Sequence, residues 1–359
     1  MLVALPGSGA AQPRRRAATP FLPAPVVRSA TDASGRSVAW SVSGSGGPPT
    51  VEVSGLPTHL LLDWRDPLLG DFQRELGAER RLLRHDRPGT GLCGGAAAAP
   101  HLDATALDAV VAASGEGRVA LLAHSFGAAA AVELCLRRPQ AVSHLVLFGA
   151  AARLHDDPGS GALTPQLADA LARLARADWQ LASRTLADLL LPGADSATLN
   201  AYSEHLRTVA GGEAAAEMLR AVRDVDLREM LPHIAVPTLV LHRRDDRVVA
   251  LHAARDLASR IAGARLEVLD GAEHLPHAGD TASVSAAIAR FLSPAVHPLT
   301  RREIDVLRQI GEGLTNQEAG AELGVSEATV ARHLANVYAK LDVATRGAAV
   351  ARARRWGLL

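Results

Sequence analysis

The chain has 359 residues, 48% of them hydrophobic, and its 38 Lys/Arg balance 38 Asp/Glu. That length predicts two domains, or one large domain with an appendage, and the balance removes any global electrostatic case for nucleic acid or a charged surface. Two cysteines, Cys93 and Cys135, make neither a disulfide framework nor a metal cluster, and no apolar run nears the ~18 residues of a membrane helix. The expectation is a cytoplasmic protein with reduced thiols and no membrane partner.

Residues 1–25 are rich in Pro, Ala and Arg and are expected to form a flexible tail. VVRSATD (26–32) and SVAWSVSG (37–44), separated by a short polar stretch with Gly35, predict a hairpin. TVEVSG (50–55) and RRLLRHD (80–86) are two further strands. RVALLAHS (118–125) is a fifth, and its consecutive apolar residues fit a central parallel strand buried on both faces. GAAAAVELCLRR (127–138) follows as a helix, stopped by Pro139. SHLVLFGA (143–150), VPTLVLHRR (236–244) and ARLEVLDG (264–271) complete the strands, with helices near 250–262 and 280–292. This alternation predicts an α/β domain over 26–293 with a doubly wound, mostly parallel sheet. Between 151 and 231 the strand signal vanishes into helical stretches such as LTPQLADALARLARA, the expectation for a helical lid. SPAVHP then suggests a linker at 294–297, and 298–359 an all-α domain.

Ser125 stands where a buried strand turns directly into a helix, in Ala123-His124-Ser125-Phe126-Gly127. Such a turn pushes the side chain out at the sheet's C-terminal edge and admits only small neighbours. A serine there is either an N-cap or a nucleophile. A nucleophile needs a base, and the base needs an acid to orient it. Two later strands run straight into Asp245-Asp246 and into Ala272-Glu273-His274, each at the C-terminal end where such a site assembles.

These residues resemble the α/β-hydrolase family. DRPGTGLC (86–93) is similar to its Asp-x-x-Gly-x-Gly-x-Ser loop, with Cys93 in the Ser position. PTLVLHRRDDRVV resembles the acid strand, which implies Asp246 as acid with Asp245 the alternative, and DGAEHLP the base loop, which implies His274. SGLPTHLLLDWRDP and LHRRDDRVV are similar to hydrolase domains fused to signalling outputs. The resemblance implies an oxyanion hole from the backbone N–H groups of Phe126 and Leu56, with Ser54-Gly55 where many members have His-Gly. It calls for no metal and no cofactor.

In the last 62 residues Thr300 and Glu303 have capping-box spacing, and Ile304, Leu307 and Ile310 recur at helical intervals. Gly311 and Gly313 end that helix, Thr315 begins a second, Ser326 caps a third and Thr345 opens a fourth. Val330, Leu334, Val337 and Leu341 give the third helix one apolar stripe. Two short helices joined by a glycine-containing turn predict a helix-turn-helix whose second helix enters the major groove of DNA. Its other face carries Ala328, Ala331, Arg332, Ala335 and Asn336: arginine reads guanine, and alanine methyls touch thymine methyls. Gln317, Thr329 and Lys340 are candidate phosphate contacts. The stretch resembles the LuxR-type helix-turn-helix, with Ala331 where that family often has lysine. The resemblance implies a homodimer on a two-fold related site. Nine Arg/Lys against seven Asp/Glu over 298–359 leave a small positive excess.

The combination predicts a DNA-binding transcription regulator whose hydrolase-like domain senses, and can hydrolyse, a small ester, lactone or acyl ligand. The alternative is an active serine hydrolase with an accessory DNA-binding tail.

Overall fold

The computed structural model describes residues 23–93, 100–154, 163–292, 299–355 and 358–359. The expected tail over 1–25 falls almost entirely outside these residues, and the expected linker over 294–297 wholly so.

Eight strands form one sheet: β1 (Val26–Thr31), β2 (Ser37–Ser43), β3 (Thr50–Val53), β4 (Leu82–His85), β5 (Val119–His124), β6 (Val142–Phe148), β7 (Thr238–Arg243) and β8 (Arg265–Leu269), in the spatial order β1-β2-β4-β3-β5-β6-β7-β8. β1–β2 and β2–β4 are antiparallel, and the remaining pairings are parallel. The hairpin follows from its short connection, too short for a crossover. Gly35 turns it at φ 81° while the Asp32 carboxylate accepts the backbone N–H groups of Ser34 and Arg36. Every residue of β5 and β7 is buried, because helices cover both faces. α3 (Pro100–Ser114), α4 (Gly127–Arg137) and α9 (Leu251–Arg260) pack on one face, and α2 (Pro67–Glu79) and α10 (Thr281–Leu292) on the other. A short helix, α1 (Leu60–Arg65), precedes α2.

Among the described residues between β6 and β7 lie four α-helices: α5 (Pro165–Ala177), α6 (Trp179–Leu190), α7 (Ser196–Val209) and α8 (Gly212–Asp224). Thr164, Asp178 and Asp195 cap the first three through their side chains. Leu171, Leu190 and Leu206 of these helices share one apolar cluster with Val248 and Leu275, which follow β7 and β8. The helices therefore cover the sheet's C-terminal edge.

The C-terminal helices α11 (Arg301–Gly311), α12 (Asn316–Leu323), α13 (Glu327–Leu341) and α14 (Arg346–Arg355) enclose a separate core built on Val306, Leu307, Val330, Leu334, Val337 and Leu341. Capping boxes close α11 (Thr300, Glu303) and α12 (Thr315, Glu318), and Ser326 caps α13. Gly324 ends α12 in the left-handed region at φ 66°. Leu334→Ala should cost this unit about 2–5 kcal/mol. In urea unfolding of the full chain we expect an early helical transition while that of the sheet stays in place. A single, wholly shifted transition would mean that the two units unfold together.

Candidate active site

Ser125 leaves β5 with φ 54°, a left-handed conformation that costs a non-glycine residue about 1–2 kcal/mol. Contacts on three sides hold it there. Its N–H donates to Phe148 O at 2.8 Å. A Cβ on Gly127 would lie 2.2 Å from Val53 O, and one on Gly55 would lie 2.4 Å from Phe126 N. Glycine at both positions lets the turn press directly against the end of β3.

The histidine loop meets this turn. His274 Nε2 lies 2.8 Å from Ser125 Oγ, and its Nδ1 lies 2.8 Å from Asp246 Oδ2. With Nδ1–H donating to the carboxylate, Nε2 is free to accept the serine proton. Asp246 Oδ1 accepts the N–H groups of Val248 (2.8 Å) and Val249 (3.1 Å). Burial alone would raise the Asp246 pKa. The charge and hydrogen bond of His274, with His242 and the backbone donor of Val248, hold it below the usual value. Asp245 is exposed, and its backbone N–H bonds Gly271 O. Geometry thus separates two neighbours that sequence alone does not.

Sequence reasoning missed Arg243, whose side chain is fully buried. Its guanidinium donates to the carbonyls of Glu273 (2.9 Å), Leu275 (2.8 Å) and Ala278 (2.5 Å), and it stacks over Phe148. One cation therefore fastens both sides of His274. The lid adds a tie from above: His274 N–H donates to Leu190 O at 3.0 Å.

Two cavities adjoin the turn and share Leu56 and Pro57. The first, about 660 Å³ including its mouth, is lined by Ser125 and by apolar side chains such as Leu56, Phe126, Trp179, Leu186, Met218 and Val222. It suits an aliphatic or aromatic acyl group. The second, about 440 Å³, is polar and was not foreseen. Arg84 bridges Glu52 (3.0 Å) and Asp63 (2.6 Å), and His205 of α7 reaches Asp63 at 3.0 Å. His85, His124 and His277 complete it. The signal available in the sequence was Glu52 and Arg84 inside otherwise apolar strands.

The oxyanion candidates differ in state. The Phe126 N–H lies beside Gly55 at the turn. The Leu56 N–H donates to Ser54 Oγ at 3.1 Å, and the Ser54 hydroxyl donates to Leu56 O at 3.2 Å. In the C-terminal unit, Ala328, Ala331, Arg332, Ala335 and Asn336 are exposed on α13, with Gln317 exposed on α12 and Thr329 half-buried. Thr329 Oγ1 is 2.8 Å from Ser326 Oγ. Lys340, a candidate phosphate contact, is exposed and donates to both oxygens of Glu303 at 2.9 and 2.8 Å. Among the described residues no cluster of His, Cys, Asp and Glu could hold a metal, and no helix is long and apolar enough to cross a membrane.

Residues 80–281 match the serine aminopeptidase S33 family, and residues 297–353 match bacterial regulatory proteins of the luxR family. Similar structures include an esterase from Exiguobacterium antarcticum (TM-score 0.64, 23% identity, 74% of this chain and 99% of that one). An enol-lactonase from Burkholderia xenovorans LB400 is also similar (TM-score 0.63, 22% identity, 74% and 100%). At these identities the likeness concerns the fold. Among curated proteins, the uncharacterized transcriptional regulatory protein YhcZ of Bacillus subtilis is 47% identical over 62 residues, 17% of this chain and 29% of that protein. The transcriptional regulatory protein LiaR of the same organism is 30% identical over 154 residues, 40% of this chain and 69% of that protein. The chain thus spans under a third of YhcZ.

Arg243→Met should strand three buried carbonyls, destabilise the sheet domain by about 2–5 kcal/mol and slow labelling of Ser125 by a fluorophosphonate. Unchanged labelling kinetics would show that the His274 loop holds without it. The polar cavity makes a pH prediction. Burial, with the charges of nearby arginines, lowers the His85 pKa to about 4, and burial beside His124 lowers that of His277 to about 3. For Glu52 burial would raise the pKa, but His124 and Arg84 bring it to about 2. All three folded values lie below the unfolded ones, so the unfolded chain binds more protons as pH falls. Stability should decline below pH ~6.5 through the histidines and more steeply below pH ~4.5 as Glu52 joins. A flat urea midpoint between pH 7 and 4 would contradict this.

Proposed function

For a chain that belongs to the serine aminopeptidase S33 family of α/β-hydrolases and ends in a LuxR-type unit, we propose a DNA-binding transcription regulator whose hydrolase domain receives a small ester, lactone or acyl compound. The observation that carries it is the pairing, in one chain, of an apolar cavity over Ser125 with an exposed helix face bearing Arg332 and Asn336. The acyl portion lies among Leu186, Met218 and Val222, with its carbonyl at Ser125. In turnover, Ser125 Oγ attacks that carbonyl while His274 Nε2 takes the hydroxyl proton and later gives it to the leaving alcohol. Water then releases the acid from Ser125 by the same proton path. Occupation of the cavity packs the lid helices, and turnover empties it.

On the DNA side, α13 lies in the major groove, where Arg332 donates to a guanine edge and Asn336 reads an adjacent base. The regulators that this unit resembles support that reading, and a dimer on a two-fold related site fits its small size. A second reading, a working hydrolase with a DNA-binding tail, is favoured by the unbroken Ser125–His274–Asp246 chain of hydrogen bonds.

Selection of binding sites from random duplexes by the full chain should enrich a two-fold related sequence. Arg332→Ala should relax preference at one base pair of each half-site by about 1–3 kcal/mol. If the full chain enriches nothing, with or without simple acyl esters, the regulator reading fails. Fluorophosphonate labelling that is abolished in Ser125→Ala would then leave the hydrolase.

A further inference from the structure

The oxyanion loop of this chain carries its own competitor. A tetrahedral intermediate on Ser125 places a negative oxygen between two backbone donors, and each must be free to point at it. Phe126 and Leu56 line the cavity with Ser125, and Gly55 between β3 and Leu56 packs against the nucleophile turn with no room for a side chain. Yet the Leu56 N–H is already directed at Ser54 Oγ, 3.1 Å away, and the Ser54 hydroxyl closes the ring on Leu56 O at 3.2 Å. A donor engaged within its own loop is not aimed at the substrate oxygen, and re-aiming it breaks one hydrogen bond in the transition state.

Ser54 also lines the polar cavity. There His124 Nδ1, His277 Nε2, His85 Nδ1 and Gln73 Oε1 have no protein hydrogen-bond partner among the described residues, and the four residues are each at least 95% buried. Unpartnered buried polar atoms favour any rearrangement that satisfies them. Ser54 therefore has two environments: the ring with Leu56, which occupies the oxyanion donor, and the histidine-lined cavity behind it.

We infer that Ser54 is a positioning residue that restrains hydrolysis: its hydroxyl holds the Leu56 N–H away from the oxyanion, so the domain retains an acyl ligand longer than it would with a free donor. The inference rests on the proposed acyl site at Ser125 and assigns that site its rate control. It concerns this chain in particular, since serine stands where many α/β-hydrolases have histidine.

The test compares wild type, Ser54→Ala, Ser54→Thr and Ser125→Ala. The readouts are the rate of fluorophosphonate labelling and steady-state turnover of p-nitrophenyl butyrate. Ser54→Ala should label at least tenfold faster than wild type, within the ~10²–10³ that one oxyanion donor contributes. Its kcat should rise with KM little changed, because the freed donor acts in the transition state alone. Ser54→Thr, which keeps a hydroxyl, should fall back toward the wild-type rate. A merely structural Ser54 would give a slower or less stable Ser54→Ala protein. Equal or slower labelling of a Ser54→Ala protein with an unchanged thermal midpoint overturns the inference while leaving the acyl site intact. Labelling in none of the variants overturns the inference together with turnover at Ser125, and leaves a cavity that only binds.

Discussion

The backbone of Ser125 is the constraint on which the site depends. A left-handed serine between a buried strand and a helix is stable only where its neighbours leave no alternative. Here β3 supplies that pressure: Gly55 and Gly127 bring two main chains into direct contact, and the Ser125 N–H is pinned to β6. The strain aims Oγ out of the sheet edge, toward the one loop that carries His274. Arg243 then fixes that loop from beneath through three carbonyls, and Leu190 from above. Serine and histidine are thus positioned by independent parts of the chain that meet at a single hydrogen bond.

The lid stands on two different surfaces. Over the apolar cavity it offers Leu186, Leu190, Met218 and Val222, which gain from any hydrophobic guest. Over the polar cavity it offers His205, set on Asp63, itself shared with Arg84. The four helices thus cover hydrocarbon over one cavity and a buried ionic cluster over the other.

Much of the fold was legible because its signals are local. Consecutive apolar residues marked β5, the change of period marked the helices between β6 and β7, and the Thr300-x-x-Glu303 spacing marked the start of α11. The order serine, acid, histidine was legible for the same reason, since each residue ends a recognisable strand. What escaped was nonlocal. Asp245 and Asp246 differ only in which one the loop turns inward. Arg243 looks like the polar end of a strand until its carbonyl partners, 30 or more residues away, are in place. The polar cavity draws its residues from β3, β4, β5, α1, α2 and α7, and no spacing rule joins them. The pairing of Lys340 with Glu303, 37 positions earlier, left no local signal either.

That pairing reaches further than one contact. In the C-terminal unit Arg302 closes the end of α12 on Leu323 O, Arg346 donates to Leu314 O and Arg352 to Leu341 O, while Lys340 sits on Glu303. Cations committed to helix ends and to an internal carboxylate displace few counterions from a duplex. Since the logarithm of binding falls with the logarithm of salt in proportion to the phosphates neutralised, each cation committed in this way makes that dependence shallower. A unit wired in this way leaves its grip on DNA to base edges more than to phosphates. For the proposed regulator the consequence is a hold on its site that changes less with ionic strength than that of a more basic unit.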